Sequence, residues 1–73
     1  MLIIRGDQVI NLDNVISFIK YEDPKINSFS IEFSIPAGRQ ITAVFEYDNK
    51  KDRDMDYLKI IEAYNHSYRI VDL

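Results

Sequence analysis

The chain has 73 residues, a formal net charge of −3, 47% hydrophobic residues, two Gly, two Pro and no Cys. A domain this short buries only roughly 60% of its unfolded surface. With disulfides and thiolate metal sites excluded, its stability has to come from dense packing or from association. The apolar fraction excludes a disordered chain, and the acidic balance argues against a general binder of nucleic acid or anionic membrane, which needs clustered Lys and Arg.

Residues 1–5 are rich in Leu and β-branched side chains and predict a first strand. The apolar run Met1 to Ile4 is stopped by Arg5-Gly6-Asp7 with no basic segment before it. No secretory leader or membrane partner is therefore expected, and the expected compartment is the cytoplasm. Gly6-Asp7 suits a two-residue turn, with Gly supplying a positive φ at the first central position. Residues 8–12 then read as a second strand, and Asp13-Asn14 as a turn whose side chains bond nearby backbone.

Val15 to Tyr21 predicts a longer strand that is apolar on both sides. Val15, Ile19 and Tyr21 share one face, and Ile16 and Phe18 the other. Such a strand is expected to be central or to lie against a partner. Glu22-Asp23-Pro24-Lys25 is a polar turn. Phe29, Ile31, Phe33 and Ile35 then alternate with Ser28, Ser30, Glu32 and Ser34, which predicts one buried and one wet face. Pro36-Ala37-Gly38 predicts a turn with Pro at its first central position. Ile41, Ala43, Phe45 and Tyr47 alternate again, so strands 26–35 and 40–47 are expected to form an antiparallel hairpin.

A helix is predicted over about 52–65, capped by Asn49 or Asp52, with Asp54 and Asp56 at the positive end of the macrodipole. Tyr57, Ile60, Ile61 and Tyr64 form its apolar stripe, flanked by Leu58. Asn65 suits the C-terminal cap. Residues 67–73 read as a last edge strand or a docked tail. The sum is one α+β domain over 1–73. A curled antiparallel sheet of about five short strands packs against one C-terminal amphipathic helix.

No motif reaches the level of a catalytic signature. Asp52, Asp54 and Asp56 resemble the start of a calcium loop, but Tyr57 and Ala63 stand where that loop needs Gly and an acidic residue. A helix also splays alternate residues about 200° apart. Acidic residues at a helix N-terminus explain the run. His66, the only His, has no marked nucleophile or orienting partner and suits a helix end. Ser28, Ser30 and Ser34 read as the solvated face of a sheet. Gly6 and Gly38 are isolated, so no phosphate loop is present. No catalytic residue, metal ligand or cofactor is expected.

The order of short strands and a C-terminal helix, with Val9-Ile10-Asn11-Leu12-Asp13-Asn14-Val15 near the start, resembles small bacterial proteins of unknown function. Some of these have a pleckstrin-homology-like curled sheet capped by a helix. The resemblance spans about residues 1–66 and carries over no functional residue. Residues 10–19, with His66-Ser67-Tyr68-Arg69-Ile70-Val71, are similar to the LytTR family of DNA-binding domains, in which a late His/Arg/Ser segment helps contact DNA.

Two functions compete at this level. The first is a non-enzymatic protein-interaction or self-assembly module. It would use sheet edges or a second-face apolar patch at Ile16, Phe18 and Val44. The second is a nucleic-acid-binding domain using Arg39, Lys50, Lys51, Arg53, His66 and Arg69. The interleaving of Lys50, Lys51 and Arg53 with Asp48, Asp52 and Asp54 cancels most of their field within a Debye length, which favours the first.

Overall fold

The computed structural model describes residues 1–37 and 39–73, and the side chains of residues 1–36 and 43–73. The fold is α+β, with six strands in two three-stranded sheets and one helix. In chain order the elements are β1 (Leu2–Arg5), β2 (Gln8–Asn11), a 3-10 turn (Leu12–Asn14), β3 (Ser17–Asp23), β4 (Ser28–Ala37), β5 (Arg39–Tyr47), α1 (Lys50–Asn65) and β6 (Ile70–Asp72).

The first sheet has the order β2-β1-β6. Gly6 takes φ +57° between the paired residues Arg5 and Gln8, so the hairpin β1–β2 closes on the turn the sequence predicts. The last segment is a strand. It runs parallel to β1, pairing Leu2 with Ile70 and Ile3 with Val71. The second sheet is the antiparallel meander β3-β4-β5. Neither sheet closes on itself.

Period-two alternation decides which side chains reach the core. Ile31 and Phe33 of β4 and Phe45 of β5 are fully buried, as are Ile3 of β1 and Ile60 of α1. Burying a side chain of this kind contributes about 1.5–3 kcal/mol. Phe33 is central. Its ring stacks on Phe18 at 5.8 Å and meets Phe45 edge-on at 5.0 Å, and Phe18 in turn meets Tyr57 of α1 at 5.5 Å.

Both helix ends are chemically closed. Asn49 Oδ1 accepts from the Asp52 amide at 2.8 Å, so α1 starts two residues before the predicted position. At the other end the Ser67 amide donates to Tyr64 O and the Tyr68 amide to Ala63 O, at 3.1 and 3.0 Å. Ser67 lies at φ +57°. This is a Schellman turn with Ser in the left-handed position that Gly usually fills.

Four expectations need correction. Phe18 lies on the covered face of its sheet, because β3 pairs Phe18 with Phe33. The helix stripe is Arg53, Tyr57, Ile60 and Ala63, and Tyr64 faces solvent. Pro36 is paired within β4 opposite Gln40, and the pairing continues to Ala37 and Arg39, so Pro36 does not open the turn. Ser30 is 4% exposed and not solvated, being set in register between Tyr21 and Glu46.

Candidate functional site

Two polar clusters tie the helix to the sheets. In the first, the Arg53 side chain is only 1% exposed. Its Nη1 donates to Tyr21 O at 2.8 Å, its Nε to Asp54 Oδ1 at 2.9 Å and its Nη2 to Glu22 Oε1 at 3.3 Å. The guanidinium also lies over the Phe29 ring, 5.8 Å from its centroid. Lys20 Nζ approaches Asp54 at 3.8 Å across the Tyr57 ring. Partial desolvation pushes the Asp54 carboxyl upward. The Arg53 hydrogen bond and the charges of Arg53, Lys20 and Lys50 outweigh it and hold the group below the usual carboxylate range.

In the second cluster, the Tyr47 hydroxyl donates to Asp56 Oδ2 at 2.8 Å. Arg5 lies over the Tyr47 ring at 4.0 Å and within 3.9 Å of the same carboxylate. Burial, then the Asp56 hydrogen bond and charge, push the Tyr47 phenol well above its ordinary value, with Arg5 opposing. The group is a neutral donor at physiological pH. Each carboxylate of the Asp52, Asp54 and Asp56 run therefore has its own partner: Asn49, Arg53 and Tyr47 respectively. Among the described residues no group of three or more His, Cys, Asp or Glu is placed to hold a metal ion. Likewise, no helix is long and apolar enough to cross a membrane.

The sheet surfaces directed away from the core differ in chemistry. On the β2-β1-β6 sheet, register places Leu2 beside Ile70 and Ile4 beside Val9. All four alternate with the core residues Ile3, Ile10 and Val71, so they share the outer face. Val9 and Ile70 are each 57% exposed. On the β3-β4-β5 sheet, the outer face carries Ile19, Tyr21 and Val44, but Glu32 stands in register between Ile19 and Val44, and Glu46 lies beside Ser30. Acidic side chains therefore interrupt this second apolar surface.

The three residues proposed for an interface do not form one patch. Phe18 is part of the core, Val44 lies on the outer face, and Ile16, 65% exposed, sits at the end of the sheet where its amide donates to Ser34 O. The basic residues also fail to converge. Arg53 is buried and bonded. Lys50 and Lys51 stand at the start of α1, and His66 and Arg69 lie beyond its end, about 24 Å along the axis. His66 stacks on Tyr68 at 5.7 Å. The Arg39 side chain lies outside the described residues.

Sequence reasoning missed the outer face of the first sheet. Leu2, Ile4 and Val9 could be read as one side of a hairpin, but Ile70 joins them only through the parallel pairing of β6. The chain matches no family model, no curated protein and no solved structure.

Proposed function

We propose that this domain is a non-enzymatic interaction module that binds a second copy of itself through the outer face of the β2-β1-β6 sheet. The observation that carries the proposal is the cluster of Leu2, Ile4, Val9 and Ile70 on one exposed sheet face, with a single charged side chain, Asp72, in register beside Ile4 at the end of β6. Grouped apolar side chains on a small domain mark contact surfaces far more often than scattered ones do.

Charge selects this face over the other. A two-fold contact sets each patch against its own copy. Glu32 and Glu46 stand within the second sheet's outer face and would then meet like charges, whereas the first sheet brings four aliphatic side chains together and keeps its one carboxylate, Asp72, at the end of β6. Strand spacing and rise give the apolar face about 200 Å² in plan. A stable interface takes about 800 Å² from each partner, so the patch anchors the contact and the association is weak. The expected dissociation constant is on the order of 10–100 µM.

Sedimentation velocity over a concentration series tests this. The unmodified chain is expected to shift from monomer to dimer as concentration rises through that range. Val9→Glu is expected to hold it monomeric, because it sets a charge within the patch beside Ile4. A monomer at all concentrations, or a dimer indifferent to Val9→Glu, contradicts the proposal.

A further inference from the structure

The free edge of β5 is occupied by side chains. β5 pairs with β4 on one side only. On its described length, Gln8 Nε2 donates to Val44 O at 3.0 Å and Arg5 Nη2 donates to Glu46 O at 2.6 Å. These two carbonyls are two residues apart, the spacing at which an added antiparallel strand would bond them. The two donors flank the Gly6-Asp7 turn and come from residues that pair with each other across the hairpin. One hairpin tip therefore delivers both hydrogen bonds.

An unpaired strand edge is a template for strand addition by another chain, and proteins blunt such edges with charged side chains or covering loops. We infer that Arg5 and Gln8 act as edge guards. By satisfying the Val44 and Glu46 carbonyls they close β5 to pairing with the β5 of a second copy, and so leave the sheet face, rather than this edge, as the route to self-association. This inference rests on the proposed self-association, because it specifies which route to assembly is left open. Arg5 is held in place by the Tyr47 ring and by Asp56, so the guard is anchored to the helix as well as to the sheet. Gln8 has no second anchor among the described contacts and is the weaker half.

The test uses the full chain carrying Ile70→Glu, which removes the apolar face as a route to assembly. In that background any gain in association belongs to the edge, whatever the fate of the face proposal. Gln8→Met keeps the length of an exposed side chain and removes only its donor. Arg5→Leu with Gln8→Met removes both donors. Far-UV circular dichroism verifies folding, and Gln8→Met alone decides if the double variant does not fold. Sedimentation velocity is expected to show dimer at concentrations at which the Ile70→Glu chain alone is still monomeric, a shift of about tenfold, the size of effect that one or two hydrogen bonds give. Adding Glu46→Pro, which removes an edge donor and bars strand addition, is expected to reverse the gain. No gain in either variant, or a gain that survives Glu46→Pro, overturns the inference.

Discussion

Arg53 is the residue on which the helix–sheet junction turns. Its stem fills space in the core, and its planar head holds one backbone carbonyl and two carboxylates in three directions. Arg53→Ala removes the packing and leaves Tyr21 O without this donor. The expected cost is about 2–3 kcal/mol in urea unfolding. Arg53→Lys keeps the charge but not the fork, and is expected to lose more than about 1 kcal/mol. A near-neutral Arg53→Ala would show that the guanidinium is not a structural clamp. Its partner Asp54 predicts an acid dependence. The folded carboxyl lies below the unfolded value of about 3.9, so in this window the unfolded chain binds more protons. The stabilisation from Asp54 is complete above about pH 4 and is lost as pH falls through the lower folded value. Asp54→Asn is therefore expected to be less stable than the parent at pH 6, with the difference shrinking as pH falls below about 4. A constant difference across that range would count against the Arg53–Asp54 contact.

Among the elements, α1 illustrates what local chemistry sets and what tertiary packing adds. Asn49 caps it through a bond that the sequence suggests directly. At its other end Ser67 occupies a left-handed conformation that costs a residue bearing a β-carbon about 1–2 kcal/mol. Ser67→Gly is expected to raise stability by about 1 kcal/mol, read from the urea midpoint at unchanged slope. A loss of stability would mean that the Ser67 side chain does more than tolerate the turn. The strands β4 and β5 were legible because strict alternation of Phe and Ile with Ser and Glu admits one register of faces. β3 was not, because apolar side chains on both sides leave the choice of covered face to its partner. Pairing with Phe33 decides it, and sends Phe18 inward and Ile19 outward. The helix stripe is legible at Tyr57 and Ile60, whereas Arg53 stands in the sequence only as part of the basic run with Lys50 and Lys51. Only the return of β3 beneath the first turn of α1 supplies Tyr21 O and Glu22, the two partners that together with neighbouring Asp54 permit burial. The division into two sheets was equally hidden. It depends on β6 pairing with β1 from the far end of the chain, and no local pattern encodes so distant a contact.

For the molecule as a whole, edges and faces have opposite characters. The described edge of β5 is blocked by Arg5 and Gln8. The outer face of its sheet carries Glu32 and Glu46, while the outer face of the other sheet groups four aliphatic side chains with Asp72 at one end. A small core with no cross-link gains stability when such a face is covered, so the proposed self-association predicts an unfolding midpoint that rises with concentration. Among the described residues, the basic side chains of the competing nucleic-acid reading stand at opposite ends of α1, and Arg53 is committed to the interior. The most direct measurement is the set of backbone amide chemical shifts recorded on dilution of the unmodified chain. Concentration-dependent shifts are expected at residues 2–4, 8–10 and 70–72, with β3, β4 and β5 unchanged. Shifts confined to β3, β4 and β5, or none at any concentration up to the millimolar range, would contradict self-association through the β2-β1-β6 face.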